Sequence, residues 1–282
     1  ATIGFSATQE VNIYSHRHYD TDKKLYKMFE KNTGIKVNIV KAKANELMKR
    51  LEKEGKNSPA DILITSDAAR LYIAQQKSLL QTVNSKVLNE LVPSNLRQKD
   101  GYWYALTKRA RVIVYNKDKV DPSTLSTYEA LTKPELKGKV LIRKANNIYN
   151  QSLLASMVAN DGEKSAKSWA KAMVNNFART PKGSDRDQMK AVAANVGDVA
   201  VVNTYYVGKL LNSKKKTEVE VGKKMGVFFP NQNGNGTHIN ISGAGVTKYS
   251  KNKENAVKLL EFLVSPKAQS LYGKRNYEYP AN

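Results

Sequence analysis

Tyr205 and Tyr206 stand side by side in the stretch VVNTYYVGKLL, where an apolar run gives way to a helical pattern. The strand DVAVVN ends at Asn203 or Thr204, either a good N-cap, so both phenols are expected in a first helical turn. Successive helical residues point about 100° apart, so two such phenols can face one object beyond the helix end. On a strand they would diverge. A helix N-terminus carries partial positive charge, which favours a phenolate over a phenol. Tyrosine still titrates near pH ~10, so ionising it at neutral pH needs a strong cation, and a bound metal ion can supply that. The competing reading of such a pair is ordinary packing in a core or at its rim.

Two other tyrosines occupy similar ground. YSHRHYD ends the first predicted strand with Tyr19 beside His18, and KANNIYNQS puts Tyr149 in a polar loop after the strand KVLIR. Both follow the C-terminal ends of strands, where α/β sheets open their ligand crevices. Three loops thus direct phenols toward one cleft, although a chain with 15 tyrosines makes some coincidence of this kind expected.

The elements that must position these residues alternate. EVNIYS, IKVNIV and ADILITS read as strands, separated by DTDKKLYKMFEKNTG and NELMKRLEKEG, the first capped by Asp20 or Thr21 and stopped by Gly34. Leu25, Met28 and Phe29 make one buried stripe; Leu47, Met48 and Leu51 make another. Such a βαβαβα order implies a mostly parallel, helix-covered sheet. GYWYALTKRARVIVYN then alternates over two long strands that can cross between lobes, and MGVFFPNQNGNGTHINISGAGVTKYS is the return crossing, its GNGNGTH and SGAG segments read as turns. Helices are expected near 162–176 and 184–193, and the basic run NSKKKTEVEVGKK (212–224) as a solvated loop. The resulting division is 1–112 plus 230–268 for one lobe and 113–229 plus 269–282 for the other.

Composition narrows the chemistry. The chain of 282 residues carries 47 basic and 25 acidic side chains, a formal charge of +22. That surplus attracts anionic partners such as nucleic acid or phospholipid headgroups, or serves solubility alone. Zero cysteines exclude disulfides, thiolate zinc sites and a cysteine nucleophile. No apolar run reaches the roughly 20 residues of a membrane span, and the start has no leader pattern. GYWYALTKRARV interleaves aromatic and basic residues, yet no nucleic-acid-binding signature accompanies it. The glycine-rich segments lack the lysine of a phosphate loop. His16, His18 and His238 are the only histidines, too few for a dependable imidazole site.

SHRHYDTD, NSPADILIT, TKRARVIVYNK, NIYNQSLLAS, VVNTYYVGKLL, GVFFPNQNGNGTHINISGAGV and the ending NYEYP together resemble the periplasmic ferric-iron-binding proteins of cyanobacterial, Fut-type iron ABC importers, within the bacterial transferrin-like solute-binding proteins. The resemblance covers nearly the whole chain. It implies an α/β, two-lobed periplasmic binding protein fold of type II, with two mixed sheets joined by two crossing strands and iron in the interlobe cleft. It implies Tyr19, Tyr149, Tyr205 and Tyr206 as ligands, His18 as an additional ligand in some members, and Arg109 beside the metal. One departure is visible: Lys209 stands in YYVGK where many relatives have arginine, which puts a planar guanidinium contact there in doubt.

Hard cations prefer oxygen donors. Four phenolates on Fe(III) leave one negative charge, which Arg109 would balance without coordinating. Fe(II) would leave two and be held more weakly. Carbonate, citrate or water would fill the remaining positions. The implied role is capture and delivery to an ABC permease by an exported monomer, neither an enzyme nor a nucleic-acid binder, with the basic surface drawn to anionic membrane. The alternatives are a binding protein for another small ligand, an anion or a polyamine, and a basic nucleic-acid binder.

Overall fold

The computed structural model describes residues 9–17 and 19–281. In chain order its elements are β1 (Glu10–Ser15), α1 (Asp20–Thr33), β2 (Lys36–Lys41), α2 (Ala44–Glu54), β3 (Ile62–Ser66), α3 (Ala68–Gln76), α4 (Lys86–Leu91) and β4 (Tyr104–Asn116). Then follow β5 (Val140–Leu141), α5 (Ile148–Asp161), α6 (Glu163–Asn176), α7 (Asp185–Ala193), β6 (Val199–Asn203), α8 (Tyr205–Leu211), α9 (Lys216–Lys224) and β7 (Met225–Phe228). The last are β8 (Ile239–Val246), α10 (Lys253–Leu263), α11 (Pro266–Asn276) and β9 (Tyr279–Pro280). The chain divides into two compact units, one of 1–108 and 241–282, the other of 109–240.

In the first unit β1 pairs in parallel with β2 and β3, and β8 runs antiparallel to β3. Helix α1 buries Leu25, Tyr26 and Phe29 against this sheet and ends at Gly34, whose φ of 73° is open to glycine without strain. Helix α2 buries Leu47, Met48 and Leu51, as their spacing predicts. SGAG is no turn: Gly243 and Gly245 lie inside β8, where a Cβ would stand 2.7 Å from Tyr104 O and 2.5 Å from Tyr102 O. Close backbone approach, not chain reversal, demands glycine there.

In the second unit β4 pairs antiparallel with β6 and β7, and β5 pairs in parallel with β6. Helices α6 and α7 fall where expected. The basic run is not a loop, since Lys216–Lys224 forms α9, with Val221 packed on the core and Gly222 buried.

Two expectations about the sheets change. GYWYALTKRARVIVYN forms one strand of 13 residues, not two. Among the described residues the strands form one sheet in place of two, ordered β2-β1-β3-β8-β4-β6-β5, with β7 and β9 pairing β4 off that path. Of the C-terminal segment 269–282, assigned from sequence to the second lobe, the described residues 269–281 fall in the first unit. There Gln269 Nε2 donates to Leu106 O at 2.9 Å, and Pro280 and Tyr279 pair with Thr107 and Lys108. Among the described residues no helix is long and apolar enough to cross a membrane.

Candidate metal centre

Strand β6 is buried along its whole length and delivers the tyrosine pair at its end. Thr204 N donates to Ala110 O at 3.0 Å, and Ala110 N donates to Thr204 Oγ1 at 3.3 Å. With its hydroxyl so engaged, Thr204 caps nothing and takes helical φ and ψ of −51° and −44°. Tyr205 and Tyr206 then open α8, as expected, with ring centroids 4.3 Å apart at an interplanar angle of 33°. Tyr149 lies in the first turn of α5, not in a loop, because Asn147 caps that helix by accepting from Tyr149 N at 3.0 Å. Its Oη is 3.4 Å from Tyr205 Oη. Three of the four predicted phenols therefore meet in one unit.

Cations surround them. Arg109, Arg143 and Arg111 stand 5.1, 5.4 and 5.8 Å from the Tyr149 ring centroid. Lys209 Nζ lies 4.9 Å from the Tyr205 ring and 5.9 Å from that of Tyr206, so a flexible ammonium does occupy this place. Arg186 is 5.8 Å from the Tyr206 ring. The carboxylate built among them is Asp185, fully buried, 2.6 Å from Arg111 Nη1 and 3.5 Å from Arg143 Nη1.

The helix end does not, by itself, ionise Tyr206. Burial pushes the Tyr206 phenol above its usual range, electrostatic interaction with Tyr149 and with the Asp185 carboxylate adds to this, and the Tyr205 hydrogen bond and Arg143 oppose it. A helix of seven residues has few aligned dipoles to counter desolvation. Removing that proton requires a stronger positive charge than the protein supplies.

The remaining predicted ligand belongs to the other unit. Tyr19, not Asp20 or Thr21, is the N-cap residue of α1, in extended conformation and making no side-chain capping bond. The Arg17 guanidinium lies 5.1 Å from the Tyr19 ring and 5.1 Å from that of Tyr272. Arg17 is buried and held by Asp22 at 3.3 Å, Glu278 at 3.2 Å and Thr107 Oγ1 at 2.9 Å. The Thr107 hydroxyl also bonds the Glu278 carboxylate. His18 lies outside the described residues. His16 Nδ1 is 3.1 Å from Ser66 Oγ. Among the described residues no group of three or more His, Cys, Asp or Glu could hold a metal ion.

Arg17, Arg111, Arg143 and Asp185 escaped the sequence reading. A signal for one of them existed: Arg109 and Arg111 are spaced by two in a strand that runs on into VIVY, which puts two charges on one face of a largely buried element.

The sequence model of a family described as bacterial extracellular solute-binding protein matches residues 57–282. The chain is 53% identical over 272 residues to iron uptake protein A1 of Synechocystis, covering 96% of this chain and 76% of that protein. Its fold superimposes with a TM-score of 0.94 on Trichodesmium IdiA (FutA) in complex with iron and citrate, at 52% identity over 96% of this chain and 86% of that one. Apo FutA2 from Synechocystis matches with a TM-score of 0.92 at 46% identity, over 98% of this chain and 86% of that one.

Proposed function

This chain belongs to the bacterial extracellular solute-binding protein family, a non-enzymatic one, and from that premise we propose that it captures ferric iron and delivers it to the permease of an ABC-type importer. The observation that carries the reading is the convergence of Tyr149, Tyr205 and Tyr206, with two hydroxyls 3.4 Å apart, inside a ring of cations. Phenols gathered beside guanidinium groups are ready to become phenolates once a trivalent ion displaces their protons, and hard Fe(III) favours such oxygen donors. Tyr19 is the ligand proposed from the first unit, and Arg109 the charge that balances the ferric tetraphenolate. Citrate, a smaller anion or water would complete the coordination. The periplasm is the compartment this role requires.

A guest drawing donors from two units stabilises their closed arrangement selectively, which is the condition for a ligand-driven hinge. That closed, interlobe state of a type II binding protein is what the permease would recognise. Fe(II) adds one less charge to the same phenolates and is expected to be held more weakly. A polyamine is a poor guest for a site ringed by Arg109, Arg111, Arg143, Arg186 and Lys209, since like charges would meet there.

Substituting Tyr205 and Tyr206 together by phenylalanine tests the reading. Equilibrium dialysis against ferric citrate should show loss of tight iron binding, together with loss of the visible phenolate-to-iron charge-transfer band. Full loading with unchanged colour would overturn it.

A further inference from the structure

Arg111 occupies the middle of the second unit, and its guanidinium reaches the chain next to each group of phenols. Nη2 donates to Asn150 Oδ1 at 2.7 Å, one residue after Tyr149. Nη1 donates to Asn203 Oδ1 at 3.1 Å, two residues before Tyr205. Asp185 fixes the fork from behind, accepting from Arg111 Nη1 at 2.6 Å and from Asn203 N at 2.9 Å. Asn150 is tied in turn to the chain after β5, its Nδ2 donating to Arg143 O at 2.8 Å. Arg111 N donates to His238 O at 2.9 Å, so the base of the side chain is anchored too. The side chain is 2% exposed.

We propose that Arg111 is a positioning residue for iron: it spans the Tyr149 turn and the Tyr205–Tyr206 turn and sets the separation of their phenols. The inference rests on the proposed function, since it takes those phenols as ligands. The physical argument is one of geometry. Helices α5 and α8 begin at different strand ends, and nothing in either local sequence relates one start to the other. A planar guanidinium with donors in a fixed fork does so rigidly, whereas a lysine ammonium is a single point charge on a flexible stem. Partners that orient metal ligands in this way are worth about 10- to 100-fold in metal affinity. Arg111 spends an Nη1 contact on Asp185 at 2.6 Å and its other hydrogen bonds on Asn150 and Asn203, so the contribution argued for it is placement of the phenols.

The test compares Arg111→Lys, Asn150→Ala, their double variant and Tyr149→Phe, each loaded with ferric iron and titrated with citrate while the charge-transfer band is recorded. Arg111→Lys keeps the charge facing Asp185 but loses the bridge, so iron affinity should fall about tenfold or more, with a shifted or weakened band. Asn150→Ala, at a half-buried surface position, should do the same, and it carries the test should Arg111→Lys not fold. The double variant should be little worse than the weaker single one, because both remove one bridge. Wild-type affinity and band in Arg111→Lys or Asn150→Ala, with binding impaired in Tyr149→Phe, overturns the positioning role alone. So do fully additive losses. Unchanged binding in Tyr149→Phe overturns the ligand reading, and the positioning role with it.

Discussion

Replacing Asp185 by asparagine removes the carboxylate at the centre of the second unit while keeping its shape. The carboxylate is fully buried, 2.6 Å from Arg111 Nη1 and 3.5 Å from Arg143 Nη1, and it accepts from Asn203 N at 2.9 Å. An amide oxygen can keep one or two of those bonds. It cannot neutralise Arg111, which is only 2% exposed and would be left as an uncompensated buried charge. Breaking such a pair from one side costs about 3 to 5 kcal/mol. Arg143 is 18% exposed, and water takes up part of its loss, so Arg111 dominates that figure. At roughly 2 to 4 °C per kcal/mol for chains of some 150 to 250 residues, the melting midpoint of the metal-free protein should fall by roughly 6 to 20 °C. Calorimetry or near-UV circular dichroism at neutral pH reads this directly. The paired variant Asp185→Asn with Arg111→Met should recover part of the loss, because it removes the buried guanidinium that the single variant leaves uncompensated. A single variant melting within about 2 °C of the wild type, under 1 kcal/mol, would mean that Arg111 does not depend on the Asp185 charge.

Three other expectations follow from the same contacts. Burial pushes the Tyr14 phenol up to about 12 and those of Tyr26, Tyr104, Tyr128, Tyr206 and Tyr272 above their usual range. Each keeps its proton in the folded chain where the unfolded chain has lost it, so metal-free stability should decline as pH rises past about 10; urea midpoints at pH 9 and pH 11 should differ in that direction. Iron retention should fall with acidity as the phenols reclaim protons, and an absorbance titration showing no release down to strongly acid pH would contradict the tyrosinate assignment. Gly243→Ala should destabilise by roughly 1 to 3 kcal/mol in thermal melts, since its Cβ would meet Tyr104 O at 2.7 Å; an unchanged midpoint would mean the strands move apart freely.

What the sequence made legible was local. The stripe Leu47, Met48 and Leu51 and the stop at Gly34 are carried by periodicity and by one residue's conformational freedom, and both appear as read. The tyrosine pair opening α8 is legible for the same reason, because strand and helix patterns abut there. Charge misled the reading of α9, where lysines mask the apolar contact of Val221. Glycine misled the reading of SGAG, whose need for glycine arises from a neighbouring strand and not from its own turn. Asp185 and Arg111 were invisible as a pair, being 74 residues apart and joined only by folding. Likewise the C-terminal segment gives no sequence sign that Glu278 will bind Arg17, 261 residues away.

Whether four phenolates hold the iron is read from a crystal structure of the ferric-loaded protein with anomalous scattering recorded at the iron edge. A single strong peak is expected, bonded to the phenol oxygens of Tyr19, Tyr149, Tyr205 and Tyr206, with Arg109 adjacent and not bonded. A peak held by other residues, or one that leaves those oxygens protonated and uncoordinated, would contradict the four-phenolate assignment.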